Sequence, residues 1–300
     1  MLPIHRILWH ESGTPAWMRP ARLPEPMTME DPDQVGSYVD AYAWGGPASA
    51  VQLHHLKELS RLIRPGDLVV DLACGPGPLL LELAAIYPTC RFVGVDMSRP
   101  MLAHLESAAA AAGLVNVTTL CEDIRSVPSL ERRPDVIIST SALHHLSGLD
   151  DLGAVFRLIG RMGPGGAFYL FDFGALRSPE TRRICVEELA RSAPRLTTLD
   201  YAMSLDAAFP IDEVFALARE LLPRPCLLQR SALADFCYLI QSPPRTRATR
   251  QAVARIAQAA RLSGFGNRID HLMLRLLRRS FPLSTPAAAA EPAPLARLAG

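Results

Sequence analysis

The sequence predicts an α/β protein: a parallel sheet, doubly wound, with helices on both faces. Three observations carry this. Short Val/Ile/Leu/Phe runs alternate with helical patterns from about residue 67 to 242, the order that builds a parallel sheet. A glycine pair at Gly75 and Gly77 follows the first of those runs and opens a helix. Acidic residues close successive strands, at the edge where open α/β sheets bind ligands.

In chain order, residues 1–34 are Pro-rich and without sustained periodicity, and are expected to be irregular. Met27 and Met29 precede the first organised segment and are alternative start positions. A helix is expected from about Val51 to Ile63, ending at the RPGD turn. DLVVDL (67–72) is the first strand, then the glycines and a helix through LLLELAAIY. RFVGVD (91–96) is the second strand, and Ser98 caps a helix from Pro100 to Ala112. VTTLCED (117–123) and DVIIST (135–140) are the third and fourth strands, a helix spans about Leu149–Arg161, and AFYLFDF (167–173) is the fifth strand. The alternation breaks at 177–222, read as two or three short helices inserted over one end of the sheet. CLLQRS (226–231) and DFCYLIQS (235–242) suit a closing hairpin. Beyond 242 come two basic amphipathic helices, about 247–262 and 267–280, the second with Ile269, Met273, Leu276 and Leu277 on one face, then an Ala/Pro-rich tail.

Composition narrows the function classes. Of 31 Lys plus Arg, Lys57 is the sole lysine and sits in a helical pattern, which excludes a P-loop and a Schiff-base lysine. No stretch approaches the ~18 apolar residues of a membrane span, and no secretory signal pattern opens the chain. Six cysteines show no C-x-x-C pair and no His at zinc-ligand spacing, so no metal ligand set is read and a reducing cytoplasm is expected. Residues 243–300 hold ten arginines against Asp270 and Glu291, a net +8 that leaves −7 for the remaining 242 residues. That contrast marks an extension. Only Phe265 and Phe281 stand among its ten arginines, too few aromatics for a single-stranded nucleic acid platform; a protein partner docking on 243–280 is the better expectation.

The chemistry concentrates in VVDLACGPGPLLLELA (69–84). Leu80 stands where a dinucleotide fingerprint has its third glycine, and such sites need no acid four residues before the first. Asp71 suits a ligand that brings an ammonium group. Asp96, 25 residues on, can accept both hydroxyls of a ribose, and Asp123 can accept from an adenine amino group. A single strand-end Asp is more often a cap or turn former; three in register with a glycine loop form a binding pattern.

Over about residues 36–242 the chain resembles the class I S-adenosylmethionine-dependent methyltransferases, of the small-molecule type. DLACGPG resembles their cofactor loop, with Ala73 where many members have glycine. GVDMS resembles the ribose-binding acid followed by Met97 on the adenine, and CEDI the adenine edge through Asp123 and Ile124. PDVIISTSALHHL is similar to the fourth strand, which contains Ser139, and RMGPGGAFYLFDF to the fifth. The resemblance implies a Rossmann-like sheet of seven strands with an antiparallel last strand, S-adenosylmethionine as cofactor, a helical cap and a small-molecule substrate. Further candidates follow from it. His144 and His145 stand after the fourth strand as a base or substrate contact, or as packed histidines. Tyr38 and Tyr42 sit in a segment that folds over the cofactor, and Trp44 offers a π-face to a sulfonium or staples the lid to the core. Asp200, Tyr201 and Ser204 lie in the cap, Asp172 ends strand five, and His54 and His55 are packed or solvated. Methyl transfer to a small acceptor is the reading expected. The alternatives are intramolecular cyclisation of S-adenosylmethionine to azetidine-2-carboxylate and methylthioadenosine, and a non-catalytic binding or partner-docking protein.

Overall fold

In the computed structural model the described residues are 3–126, 130–163, 165–190, 193–223, 225–232, 234–262 and 275–282. Seven strands form one sheet: β1 (Leu68–Leu72), β2 (Arg91–Asp96), β3 (Val117–Cys121), β4 (Val136–Thr140), β5 (Ala167–Phe173), β6 (Leu227–Arg230) and β7 (Cys237–Gln241), in the spatial order β3-β2-β1-β4-β5-β7-β6. The pairs among β1 to β5 are parallel, while β7 runs antiparallel to both β5 and β6. The chain leaves β1 towards β2 on one side and reaches β4 on the other. The carboxyl ends of β1 and β4 therefore flank a topological switch point, where such sheets open a crevice.

β1 is buried along its whole length because both faces are covered. Strand alternation divides its side chains between two cores. Val69 joins Phe92, Ile138, Tyr169 and Leu239 under α3 (Ser49–Leu59), α4 (Pro78–Ile86) and α5 (Arg99–Ala111). Leu68, Val70 and Leu72 pack with Ile137 and Leu170 under α6 (Leu149–Gly160) and α9 (Ile211–Leu221). Ser98 caps α5 as expected, its Oγ accepting the Met101 N–H at 3.4 Å.

Two expectations need correction. Residues 1–34 are not irregular throughout: Pro3–Gly13 form α1, and Pro32–Tyr42 form α2. Prolines cluster after residue 14 and mask the amphipathic stretch before it. Ile7 of α1 packs on Ile184 and Leu205, and Arg6 bridges Glu180 at 3.0 Å and Glu188 at 2.8 Å. Second, the inserted segment is shorter than 177–222. Its cap consists of α7 (Pro179–Arg183), a π-helical turn (Ile184–Leu189) and α8 (Arg195–Ala207), while α9 packs against α6 as a layer of the sheet. Of the two readings left open for the histidines of α3, packing is the one found: His54 and His55 are buried, with His55 Nδ1 2.8 Å from the Tyr169 hydroxyl.

The basic extension begins with α10 (Arg250–Leu262), whose Ala252, Ile256 and Ala259 enter the core beside α3 and α4. The apolar face of α10 is thus packed on this chain's own helices. Of the second expected helix, 275–280 are helical, with Leu277 and Phe281 buried; Ile269, Met273 and the tail from 283 lie outside the described residues.

Ile256→Ala should lower stability by about 2–4 kcal/mol through the cavity it leaves, whereas Val253→Ala, at 56% exposure on the same helix, should change it by no more than about 0.5 kcal/mol. Urea unfolding of the two variants checks the docking of α10; equal effects would contradict it.

Candidate active site

The turn between β1 and α4 is built on left-handed backbone. Ala73, Gly75 and Gly77 have φ of +56°, +54° and +64°. For Ala73 this conformation costs roughly 1–2 kcal/mol, which explains why glycine is common at this position in the resemblance. A Cβ on Gly77 would lie 2.5 Å from Leu105 Cδ1, so only glycine lets the turn sit against α5. Gly75 presents bare backbone to a cavity of about 620 Å3. Asp96 fixes this geometry: one carboxylate oxygen accepts the Gly75 N–H and the other the Ser98 N–H, both at 2.8 Å. Burial pushes its carboxyl upwards, and the two amides oppose that shift.

The cavity lies over the carboxyl ends of β1, β2 and β4 and is roofed by α2 and the cap. Tyr38 and Tyr42, one helical turn apart on α2, stack with centroids 4.5 Å apart at 21° and both line it. Burial raises both phenols, so both remain protonated. Tyr42 also shares a hydrogen bond with Ser141. Ser141 has φ +53°, a strained conformation held where β4 ends.

Opposite lies a polar cluster. His144 is buried, its Nδ1 is 2.6 Å from Asp172 Oδ1 and its backbone N–H donates to Asp172 Oδ2 at 2.9 Å. Its Nε2 is 3.0 Å from Glu25 Oε1. Burial opposes its protonation, yet the Asp172 and Glu25 carboxylates outweigh it and hold the imidazole near 10. Without a ligand it is therefore a cation, not a base, at neutral pH. His145 differs: burial and then the charge of His144 lower it. Its Nδ1 lies 2.9 Å from the Pro26 carbonyl oxygen and its Nε2 3.5 Å from Glu25 Oε1. Ser204 of α8 completes the group, its Oγ 3.3 Å from Glu25 Oε1. Burial, then the Glu25 charge, raises the nearby Asp200 to about 6.

Glu25 escaped the sequence reading. It is delivered by Arg22, whose Nε donates to the Ala207 carbonyl at 2.6 Å and whose Nη atoms donate to the carbonyls of Ser147, His144 and Leu146. The available signal was the placement of an acid between two prolines in LPEPM.

Of the expected site residues, Tyr38, Tyr42, Ala73, Gly75, Asp96, Met97, Ile124, His144, His145 and Ser204 border the cavity. Five do not. Trp44 turns away, its indole N–H donating to Glu82 at 2.8 Å, a carboxylate also held by Arg255 of α10. Asp123 is captured two residues on by Arg125, at 2.6 Å, which holds its carboxyl below the usual range. Ser139 is wholly buried and donates to the Leu72 carbonyl across the sheet at 3.0 Å. Gly77 serves packing. Asp71 lies beneath the loop, 3% exposed, with Oδ1 unpartnered, and burial followed by the Asp96 charge raises it to about 8.

Comparison with known proteins agrees with this geometry. Residues 69–166 match a family described as a methyltransferase domain. Trans-aconitate 2-methyltransferase of Variovorax paradoxus is 32% identical over 124 residues, covering 41% of this chain and 43% of that protein. Malonyl-[acyl-carrier protein] O-methyltransferase of Legionella pneumophila is 34% identical over 95 residues, 31% of each chain. The chain thus spans less than half the length of these two relatives. Among solved structures, the plantazolicin methyltransferase BpumL in complex with SAH aligns with a TM-score of 0.53 at 14% identity, covering 77% of this chain and 86% of that one, a likeness of fold. Residues 69–166 thus resemble a methyltransferase domain in sequence, and the surrounding Rossmann-like fold is like that of a solved methyltransferase.

Because the folded state keeps the Asp71 proton and the unfolded state releases it near pH 4, this group lowers stability progressively between about pH 4 and 8. The stability of Asp71→Asn relative to the parent should accordingly rise across that window, as measured by urea unfolding at several pH values. A difference that is flat with pH would contradict the shift.

Proposed function

We propose that this chain is an S-adenosylmethionine-dependent methyltransferase whose acceptor is a small molecule enclosed in the cavity above the sheet. The observation that carries this is Asp96, held by the amides of Gly75 and Ser98 so that its carboxylate borders that cavity at the switch point. The residues suit the cofactor. Asp96 would hold the ribose hydroxyls, Met97 and Ile124 would flank the adenine, and the bare backbone at Gly75 beneath Tyr38 would receive the methionine end. When bound, the cofactor supplies a methyl group on a sulfonium, whose leaving group is already activated.

The chain's own task is then alignment and exclusion of water. Tyr38 and Tyr42 form an apolar wall with protonated hydroxyls, and Ser141, which shares a hydrogen bond with Tyr42, fixes that edge of the site. The cavity volume lies inside the ~300–1,000 Å3 usual for small-molecule sites, and the cap over it favours a compact acceptor.

The relatives are named for carboxylic acid substrates, trans-aconitate and malonyl-carrier protein. Here no lysine or arginine is among the described residues lining the cavity, which include Asp96 and Asp200. The cationic His144 there is already paired with Asp172 and Glu25, so a polyanion would meet repulsion and no free pairing cation. The acceptor is accordingly a neutral molecule, apolar for most of its surface, with its reacting atom turned towards the His144–His145 side.

Asp96→Ala removes two hydrogen bonds to a charged acceptor and the tether of the glycine loop, so S-adenosylmethionine affinity should fall at least ~100-fold, about 3 kcal/mol. Calorimetry reads this, and unchanged affinity would reject the assignment. Incubation of the protein with S-adenosylmethionine alone should leave the cofactor intact; methylthioadenosine formed above the enzyme-free blank would replace methyl transfer with cyclisation.

A further inference from the structure

Glu25, His144 and His145 stand 119 or more residues apart in sequence, measured from Glu25, yet offer three ligand atoms within 4.8 Å of one another. We propose that they form a divalent-metal site of the two-histidine, one-carboxylate type on the wall of the cavity, where the cation takes a hydroxyl oxygen of the acceptor.

The spacing fits. Ligands of a tetrahedral zinc-like ion with bonds of about 2.0–2.1 Å sit roughly 3.3 Å apart, and Glu25 Oε1 lies 3.0 Å from His144 Nε2 and 3.5 Å from His145 Nε2. The supporting contacts are those of a metal centre. Each imidazole has Nδ1 against an oxygen acceptor, Asp172 for His144 and the Pro26 carbonyl for His145, which fixes the tautomer that leaves Nε2 as a ligand. His144 Nε2 is buried and faces Glu25 Oε1 at 3.0 Å, an ion pair when the ring is protonated. A divalent cation between the two would replace that proton.

Charge points the same way. Glu25, Asp172 and Asp200 act on one another or on His144, with Arg22 as the cation acting on Glu25 and Asp172. With both imidazoles neutral, as metal binding requires, three carboxylates against one guanidinium leave two negative charges for a divalent ion to neutralise. Two imidazole donors beside one carboxylate select the zinc, cobalt or iron class over calcium, magnesium or manganese. His144, His145 and Ser204 border the cavity, so open coordination positions face the acceptor. A hydroxyl bound there is acidified by the cation, which sharpens the acceptor from neutral molecule to one bearing a hydroxyl group. That last step rests on the methyltransferase reading; the metal site itself does not.

Tag-free protein, stripped with chelator and titrated with Co2+ in the absence of S-adenosylmethionine, should bind one cobalt per chain and develop d–d absorption. Glu25→Gln and His145→Gln, each shown to be folded by circular dichroism, should weaken cobalt binding at least tenfold, and Asp172→Asn by ~10–100-fold through the loss of support for His144. Absence of stoichiometric cobalt binding by the parent protein would overturn the proposal, as would affinities unchanged in both ligand variants. Calorimetry with S-adenosylmethionine on the same sample separates the two readings, since a failed metal site leaves cofactor binding intact.

Discussion

The fork of Arg22 ties the amino-terminal strap to the sheet. Its guanidinium reaches the carbonyls of His144, Leu146, Ser147 and Ala207, and its Cζ lies 3.9 Å above the centre of the Phe209 ring. A planar cation with five donors can satisfy the carbonyls of a tight turn and of a helix end together, which a lysine cannot. The strap is thereby drawn across the carboxyl edge of the sheet, and Glu25, three residues on, is set into a buried position that a free chain would not choose for a carboxylate. The cap is held from the other end: Glu11 of α1 accepts the amides of Arg177 at 2.7 Å and Ser178 at 3.2 Å, where the chain leaves β5. The roof of the cavity follows from these two anchors, because α2 is connected to the strap and α8 to the cap.

Beneath that roof, the site works by opposed environments for similar groups. Asp96 and Asp71 end up on either side of one glycine loop. Two amides hold the first at the cavity, while the second has its Oδ1 unpartnered and is kept protonated by burial. His144 and His145 are adjacent in sequence, with ring centroids 4.5 Å apart, yet the first is driven to hold a proton and the second to lose one. Adjacent residues on a short helical turn point in different directions, so neighbours can meet different partners.

What the sequence revealed was what depends on local order. The strands, the Gly75 turn, Asp96 at the end of β2 and the Ser98 cap all rest on neighbours a few residues away or on alternation, and each lies where the pattern put it. The failures have physical causes. Asp123 belongs to the strand-end pattern, but Arg125 competes for its carboxylate at shorter range than any ligand. Trp44 is apolar enough for a lid, yet its N–H finds Glu82 on α4, and only the fold brings α4 and α10 beside it. Glu25 lies in a Pro-rich segment without periodicity, and its partners come from the turn after β4 and from α8 by way of the whole sheet topology. Such long-range meetings leave no spacing to read.

The central claim is that the cavity above the switch point receives the cofactor through Asp96, with the reacting sulfur turned towards the wall formed by the strap and the cap. A crystal structure of the protein with S-adenosylhomocysteine tests it most directly. Both ribose hydroxyls should lie within hydrogen-bond distance of Asp96, with the sulfur between the Tyr38–Tyr42 face and the His144–His145 wall. An adenosine bound away from Asp96, or a sulfur facing bulk solvent outside the cap, would contradict the account.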